Sequence, residues 1–427
     1  MSDDIKSTDK QDLLPIVRAI GSDLEQTQVR VIASANADML FHYWKVGHFI
    51  LYLQKKEGWG SKVIDNLSKA IRSKYPEKKG YSRRNIFYMC QFASAYSLEV
   101  LKEINKVDGL LTTPTVENVL SLTNELNQIV QQPVALIQAS DNQSDIITQQ
   151  PVAQLGQVSE TLSAIYHCDI SQIEEIFKHS AIVRTNWASH VILLNSKLPL
   201  GECYWYISQA VANGWSRNVL QVQIETYLFA RQVTAKKVSN FSARLPKPQS
   251  DLANYLMKDP YIFDLMGQTD KMAERDLEQQ LVSHITKYLL EMGSGFAFVA
   301  QQKHFEVGDS DFYADLILYN IQLHAYVVIE LKATPFKPEY MGQLNFYINV
   351  VDDTLRGEHD NKTIGLLLCN GGDKVVAQYA LSGYDQPIGV SDYQLTKSIP
   401  DDLKSALPTV EEVEEELSKI VEQDSER

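Results

Sequence analysis

The chain has 427 residues, of which 44% are hydrophobic and 22% charged, and its formal net charge is −14. This length exceeds one ordinary hydrophobic core and predicts two or three domains, while the composition excludes disordered, collagen-like and membrane-spanning proteins. Four cysteines without a CxxC pair argue against a zinc knuckle or a disulfide scaffold and are typical of a reducing compartment. Because the polar, acidic N-terminus lacks the features of a signal peptide, we expect a cytoplasmic protein.

The charge is unevenly distributed along the chain. Residues 401–427 carry ten carboxylates against three basic side chains, which is half of the net negative charge. Residues 69–84 instead carry seven lysines or arginines against one glutamate. Because charges act locally, within a Debye length of about 8 Å, a basic cluster can attract phosphate even on an acidic protein. The net charge therefore does not exclude a nucleic-acid partner.

Residues 12–104 have the pattern of a helical N-terminal domain. Apolar and aromatic side chains over residues 31–54 recur at the spacing of a buried helix. A shorter helix is predicted over residues 61–74, and a third begins after Ser82, which is a favourable N-cap residue.

A four-residue motif occurs twice, each time before an apolar helix. Gly80-Tyr81-Ser82-Arg83 is repeated as Gly214-Trp215-Ser216-Arg217. One interpretation is a repeated capping device, and the other is a pair of helix N-termini that present arginine and backbone N–H groups to phosphates.

The predicted nucleic-acid contacts are Lys78, Lys79, Arg83, Arg84 and Arg217. Residues 82–91 could form the recognition helix of a helix-turn-helix unit, and a dimerisation or partner-protein role for the helical domain is the alternative.

Changes in composition divide the remaining chain. Residues 105–160 are rich in Gln, Ser, Thr and Asn and predict a loosely ordered insertion or linker. Helical patterning resumes over 161–235, a connector with prolines and lysines follows over 236–262, an α/β pattern covers 263–400, and residues 401–427 form an acidic tail. The tail has apolar residues at helical spacing, which favours a solvated helix over a partner-binding arm.

Residues 263–400 alternate between helix and strand patterns, which predicts one α/β domain with an αβββαβ core. The predicted elements are a helix over 273–292, strands over 296–307, 312–319 and 324–332, a helix over 338–355, a strand over 363–369, a helix over 374–381 and a strand over 387–395. The predicted fold class is therefore a multidomain chain, with an α-helical N-terminal region and a C-terminal α/β domain.

Two strands of this domain carry acidic residues and a lysine. A short turn near residues 320–323 predicts an antiparallel hairpin. If residues 320 and 323 pair, Asp315 lies opposite Val328 and diagonal to Glu330, and Lys332 shares their face. A register shifted by one residue would separate these three side chains, so the convergence depends on the turn.

The chemistry of this cluster indicates a cation site. Two neighbouring carboxylates repel each other unless a cation lies between them, and oxygen ligands favour Mg²⁺ or Mn²⁺. The ammonium group of Lys332 beside such a metal could position a water molecule and stabilise charge on a phosphorane, which suits phosphodiester hydrolysis. The alternative is a solvated strand end with a salt bridge between Glu330 and Lys332.

Two helices carry further candidates. Gln343 and Tyr347 are four residues apart, on the helix expected to return over the lysine-bearing strand. Glu274 and Glu278 lie one turn apart on the helix that precedes the sheet. The alternatives are a helix-capping amide with a core tyrosine, and a solvated acidic helix face.

The motifs resemble those of a known nuclease superfamily. Glu278, Asp315, Glu330-Leu331-Lys332 and Gln343-xxx-Tyr347 resemble the PD-(D/E)xK nucleases, in the branch that has a QxxxY motif, as in RecB-like nucleases. The whole chain is similar to the YhcG-like family of bacterial proteins, through YWKVGHFI, GYSRRNIFYMCQF, DFYADLILY and YVVIELK. One departure is Ala314, which stands where the superfamily motif has proline.

This resemblance implies a restriction-endonuclease-like fold, a divalent cation and nucleic acid, most often DNA, as the substrate. The implied catalytic residues are Asp315, Glu330, Lys332, Glu278, Gln343 and Tyr347. Asp315, Glu330 and the Leu331 carbonyl would hold the metal, and Glu278 would be an auxiliary acid. Gln343 and Tyr347 would orient the site and contact the substrate backbone.

The leading interpretation is a Mg²⁺- or Mn²⁺-dependent deoxyribonuclease whose helical region binds nucleic acid or partners. The alternative is a non-cleaving DNA-binding or protein-interaction module that keeps the nuclease fold as a scaffold, and an RNA-directed nuclease is a third interpretation. A homo-oligomer or a partner protein bound through the helical domain is compatible with each of them. The sequence contains no GxxxxGK, HExxH or GxSxG motif that would favour another chemistry.

Overall fold

The N-terminal part of the chain is helical, and the C-terminal part contains a mixed β-sheet with helices. The computed structural model describes residues 7–57, 62–107, 115–131, 158–264, 285–293 and 295–396. The chain divides into two compact units, one of residues 1–109 and 122–211 and the other of residues 110–121 and 212–427. This architecture confirms the predicted fold class. None of the helices within the described residues combines the length and apolar sequence needed to cross a bilayer.

Within the described residues, nine α-helices lie between residues 7 and 212. They are α1 (Ser7–Glu57), α2 (Lys62–Lys74), α3 (Arg83–Ala95), α4 (Leu98–Val107), α5 (Val116–Gln131), α6 (Val158–Tyr166), α7 (Ile170–His179), α8 (Trp187–Ser196) and α9 (Leu200–Ala212). The helix predicted over residues 31–54 is part of α1, and the helices predicted next are α2 and α3.

Helices α1 and α3 pack together closely at Gly47. A Cβ atom at this position would lie 2.0 Å from the carbonyl oxygen of Met89, so any larger residue would force the two helices apart. Trp44, nearly one turn earlier, is fully buried, and its indole N–H donates to the carbonyl oxygen of Tyr96 at 2.6 Å. The aromatic residues of α1 therefore form core contacts, as their spacing predicts.

Part of the predicted insertion is an ordered helix. Residues 105–160 were expected to be loosely ordered from their polar composition, yet α5 occupies Val116–Gln131. Val119, Leu122 and Leu126 are buried, because they recur at helical spacing and form an apolar stripe that the average composition conceals. The helix is also tied to α9, since the Gly201 amide donates to Asn127 Oδ1 at 2.8 Å.

The C-terminal unit is built on a seven-stranded sheet. Its strands are β1 (Val238–Ser239), β2 (Tyr261–Asp264), β3 (Phe296–Val307), β4 (Ser310–Asn320), β5 (Ala325–Lys332), β6 (Ile364–Cys369) and β7 (Ile388–Thr396). The order is β1-β7-β6-β5-β4-β3, with β2 also paired to β7. Strands β3, β4 and β5 are antiparallel, whereas β5, β6 and β7 are parallel. The strand predictions agree with these bounds to within two residues.

Helices cover both faces of this sheet. They follow α10 (Arg217–Glu225) in the chain and are α11 (Phe241–Arg244), α12 (Gln249–Leu256), α13 (Ile285–Met292), α14 (Tyr340–Thr354) and α15 (Lys374–Leu381). Residues of α11, α12 and α13 share one apolar core with Leu316 and Ile329, and residues of α14 share the other with Ile317 and Val328. Helix α14 lies very close to β6, because a Cβ atom at Gly365 would lie 2.5 Å from Ile348 Cδ1.

Candidate active site

Strands β4 and β5 bring together the acids and the lysine that the sequence predicts to converge. The observed pairing joins Asn320 to Ala325 and Leu316 to Ile329. The predicted pairing of residues 320 and 323 is therefore wrong by two residues, because the connection spans residues 321–324 rather than a two-residue turn. A shift of two preserves which residues share a face, so the convergence survives, and Asp315 comes opposite Glu330 instead of diagonal to it.

Hydrogen bonds orient the Asp315 side chain at the end of the β4–β5 pairing. Its side chain is buried, with 6% of its surface exposed. The Leu331 amide donates to Asp315 Oδ2 at 2.9 Å, and Gln302 Nε2 donates to Asp315 Oδ1 at 3.2 Å. Both carboxylate oxygens therefore have a donor that restricts their orientation.

Glu330 and Lys332 form a buried ion pair on β5. Lys332 Nζ donates to Glu330 Oε1 at 2.8 Å, and the exposed fractions of the two residues are 6% and 0%. Lys332 Nζ also lies 5.5 Å from the centre of the Tyr340 ring on α14, within the range of a cation–π contact. A salt bridge between these two residues was predicted as the alternative to a cation site. The observed pair lies in a buried site beside Asp315 and not at a solvated strand end.

Helix α14 contributes the glutamine and tyrosine of the predicted QxxxY motif. Tyr347 is buried, whereas Gln343, one turn earlier, is exposed. Burial raises the pKa of Tyr347, a hydrogen bond with the Gln343 side chain opposes this rise, and the negative charges of Glu330 and Asp315 add to it. Tyr347 therefore lies within electrostatic reach of both acids, and Gln343 is hydrogen-bonded to it.

The donor set fits a divalent cation in charge and chemistry. Asp315 and Glu330 bring two buried carboxylates and Lys332 brings one ammonium group, so the cluster carries a net negative charge when all three are ionised. Carboxylate oxygens are preferred ligands of Mg²⁺ and Mn²⁺. In a β-strand the N–H and C=O groups of one residue point towards the same neighbouring strand. The Leu331 amide points towards β4, where it donates to Asp315, so the Leu331 carbonyl is directed towards β4 as well.

The described residues do not supply a third acid at this position. Among them, no group of three or more histidine, cysteine, aspartate or glutamate side chains is arranged to hold a metal ion. Glu278, the predicted auxiliary acid, and Glu274 lie outside the described residues. The role of Glu278 therefore stays a prediction.

The predicted nucleic-acid contacts lie on exposed helix ends and turns. Lys78 and Lys79 are exposed between α2 and α3. Arg83 forms an exposed ion pair with Asp65 at 2.9 Å. The Arg84 guanidinium lies 5.6 Å from the centre of the Tyr88 ring.

The repeated motif has the capping geometry in both copies. The Asn85 amide donates to Ser82 Oγ at 3.2 Å, and the Val219 amide donates to Ser216 Oγ at 3.3 Å. Arg217, the first residue of α10, is exposed and belongs to the C-terminal unit, whereas the other four basic residues belong to the N-terminal unit. The capping interpretation is confirmed, and it does not conflict with phosphate binding, because a capped helix end still presents its arginine to solvent.

Gln302 is a residue of this site that was not predicted from the sequence. It lies on β3, contacts Asp315 and has a φ of 43°, in the left-handed region. No local sequence signal marks it, since Gln301 beside it is chemically identical. Only the pairing of β3 with β4 distinguishes the two glutamines.

Comparisons with known proteins found two family matches, a similar bacterial protein and a similar solved structure. Residues 254–408 match the family described as YhcG PDDEXK nuclease domain, and residues 19–123 match the DUF1016 N-terminal domain. The chain is 24% identical over 390 residues to "Putative nuclease YhcG" of Escherichia coli (strain K12), and the match covers 90% of each chain. A repair endonuclease from Pyrococcus abyssi is similar over 31% of this chain and 50% of its own, at 14% identity and a TM-score of 0.21. The resemblance indicated by the sequence motifs is confirmed, since residues 254–408 are similar to a PDDEXK nuclease domain.

Proposed function

We propose that this protein hydrolyses phosphodiester bonds of DNA with the help of Mg²⁺ or Mn²⁺, at a site formed by Asp315, Glu330 and Lys332. The observation that carries this proposal is the burial of two carboxylates and one ammonium group on adjacent strands, beneath α14. Burying three charged groups is costly for folding, so their retention in one cluster is typical of a functional site.

Each residue of the cluster has a role that follows from its contacts. Asp315 and Glu330, with the Leu331 carbonyl, would hold the cation, which when bound supplies Lewis-acid activation of water and of the scissile phosphate. Asp315 is already oriented by the Leu331 amide and by Gln302. These oxygen ligands are thus already oriented before a cation would bind, which lowers the cost of reorganisation during the reaction.

Lys332 supplies positive charge where the reaction develops negative charge. Its ammonium group pairs with Glu330 at 2.8 Å in the protein alone. With a cation held by Asp315 and Glu330, the Lys332 ammonium group would stabilise the negative charge that develops at phosphorus and would position the attacking water. Gln343 is exposed beside Tyr347 and would donate a hydrogen bond to the substrate backbone.

The helical region would deliver nucleic acid to the nuclease domain. Its exposed basic side chains can neutralise phosphates without reading sequence, which gives affinity and a strong dependence on salt. The proposed contacts are Lys78, Lys79, Arg83 and Arg84 of this region, together with Arg217 of the C-terminal unit. The alternative function, a module that binds DNA without cleaving it, is an outcome of the test below.

The test is a cleavage assay on linear, nicked and branched DNA, with matched RNA, after the metal has been removed with EDTA and then restored. We expect wild-type cleavage only with added Mg²⁺ or Mn²⁺. Asp315→Asn removes one charge with little change of shape and should reduce the rate by at least about a hundredfold. Lys337→Ala is the control, because Lys337 is exposed and outside the cluster.

The outcomes separate the two functions. Metal-dependent cleavage that Asp315→Asn abolishes and Lys337→Ala retains supports the nuclease. DNA binding without metal-stimulated cleavage on every substrate favours the non-cleaving module. Equal cleavage by the wild type and Asp315→Asn would remove the proposed site. Circular dichroism and melting temperatures would verify that each variant is folded.

A further inference from the structure

The β3–β4 ladder reverses its faces at the position of Asp315. Phe305 and Ala300 of β3 both pack into the core beneath α14, although they are an odd number of residues apart. Phe312 and Ile317, their partners on β4, pack into the same core and have the same separation. Residues an odd number apart face opposite sides of a regular strand. Both strands must therefore turn over together between these two pairs.

The reversal can be located on each strand. On β4, Ala314 lies in the core beneath α14 and Leu316 lies in the core on the opposite face, although in a regular strand residues two apart share a face. The break therefore occurs at Asp315, between them. On β3 the residue opposite is Gln302, since Gln301 pairs with Leu316 and Lys303 with Ala314.

Gln302 has the backbone conformation that such a break requires. Its φ of 43° lies in the left-handed region, which costs energy for a residue with a side chain. Gln302 is exposed, so the packing of a buried side chain does not explain this conformation. Backbone strain of this kind is typical of positions where a functional geometry is maintained.

We infer that Gln302 is a positioning residue for Asp315 and sets the geometry in which this carboxylate binds the cation. The inference rests on the proposed metal-dependent function. The left-handed backbone at Gln302 accompanies the turn of β4, which lets Asp315 Oδ2 reach the Leu331 amide at 2.9 Å within the sheet. The Gln302 carboxamide then donates to Asp315 Oδ1 at 3.2 Å and leaves a defined direction for a metal ion.

This role has a clear physical reason. A carboxylate that is free to rotate must lose that freedom when it binds a cation, and a neighbouring donor removes this cost in advance. Groups that hydrogen-bond to metal ligands typically change metal affinity or activity by about 10–100-fold when they are replaced. A glutamine suits the task because its neutral amide donates a hydrogen bond without adding a charge to the site.

The experiment compares Gln302→Met, Gln302→Gly and Gln301→Met in the full-length protein. Methionine removes the donor and keeps the length of the side chain. Glycine also removes the donor and adopts the left-handed backbone without strain, so that variant should be at least as well folded as the wild type. Gln301→Met is the matched control, one residue away and outside the left-handed region.

Two readouts are measured on each variant. Mn²⁺ binding is measured by isothermal titration calorimetry without DNA, and kcat and KM are measured on the DNA that the wild type cleaves. For both Gln302 variants we expect Mn²⁺ affinity and kcat to fall by about 10–100-fold. KM for DNA should change by less than about threefold, since Gln302 acts through Asp315 and not on the substrate. Gln301→Met should match the wild type in both readouts.

The possible results test the positioning role of Gln302 separately from the proposed nuclease function. If either Gln302 variant binds Mn²⁺ as tightly as the wild type, the positioning role is overturned. If Gln301→Met loses as much Mn²⁺ affinity as the Gln302 variants, the effect belongs to the strand and not to Gln302, which also overturns it. A higher KM at unchanged kcat and Mn²⁺ affinity would place Gln302 on the substrate and also overturns the inference. A wild-type protein that neither binds Mn²⁺ nor cleaves DNA instead overturns the proposed function, and this inference with it.

Discussion

At the scale of single residues, the site depends on charges that compensate one another within the sheet. Glu330 is fully buried, and the ammonium group of Lys332 offsets the cost of removing its carboxylate from water. Taking away one partner of such a pair typically destabilises a protein by about 3–5 kcal/mol, because an uncompensated charge stays buried. A charge-neutralising change at Asp315, which is outside this pair, is therefore a cleaner test of catalysis than the removal of Lys332.

Other buried charges of the C-terminal unit predict how its stability depends on pH. Burial lowers the pKa of Lys237 from 10.5 to about 7, with Asp259 opposing the shift and Lys258 adding to it. Between these two pKa values the unfolded chain binds more protons at Lys237 than the folded chain does. The free energy of unfolding therefore rises with pH from about 7 towards 10.5 through this residue.

The measurement is the melting temperature of the full-length protein by calorimetry at pH 7 and pH 9. We expect the transition of the C-terminal unit to rise over this interval, and Lys237→Met to reduce the rise. Lys247→Met is the control, because the Lys247 side chain is 82% exposed. The same pH response in the wild type and in Lys237→Met would contradict the prediction.

At the scale of secondary-structure elements, closely packed backbones fix the positions of the functional segments. Helix α14 can carry Gln343 and Tyr347 to the acids because Gly365 of β6 leaves room for Ile348. In the helical region, Gly47 has the same role between α1 and α3, the helix that follows the basic turn. In both places a missing side chain, rather than an attractive contact, determines the distance between elements.

Gly47→Ala tests this packing directly. The added methyl group would lie 2.0 Å from the Met89 carbonyl oxygen, so the two helices must separate. We expect the free energy of unfolding to fall by at least about 1–3 kcal/mol, the usual cost of overpacking a core. Gly383→Ala is the control, since a Cβ atom there meets nothing within 4 Å. Equal melting temperatures for the two variants would show that α1 and α3 adjust without cost.

At the scale of the whole molecule, the charge pattern is the feature most relevant to nucleic acid. The net charge of −14 opposes DNA at long range, but the seven basic residues within 69–84 are exposed. Because salt screens charges beyond about 8 Å, the local cluster and not the total charge governs contact with phosphate. DNA should therefore bind near this cluster, and its affinity should be highest at low ionic strength.

Reversal of charge in the basic turn tests this expectation. Lys78→Glu together with Lys79→Glu should weaken DNA binding roughly tenfold and reduce the slope of log affinity against log salt by about two. Lys102→Glu together with Lys106→Glu changes the net charge equally on another exposed surface of the same unit. Fluorescence anisotropy over a range of salt concentrations measures both quantities. Equal losses in the two double variants would assign the effect to net charge alone.

Much of this protein follows from its sequence, because local patterns report local structure. The spacing of apolar residues predicted the bounds of most strands in the C-terminal domain, and Ser82 and Ser216 marked helix starts where the structure has them. Strand periodicity also predicted that Asp315, Glu330 and Lys332 share one face. The predicted hairpin register was wrong by two residues, but the three side chains still share a face. The alternation of faces has a period of two residues, so such a shift does not change it.

Other features depend on residues that are distant in the sequence, and only the tertiary structure decided them. The polar composition around Val116–Gln131 concealed the helix there, and the helix that it contacts, α9, lies about 70 residues further along the chain. Gln302 could not be told from Gln301 until the pairing of β3 with β4 placed it opposite Asp315. The sequence by itself thus determined the chemical groups and the faces they occupy. The strand pairing and helix packing determined which groups meet, because contacts between distant segments depend on register and backbone separation, which no local pattern encodes.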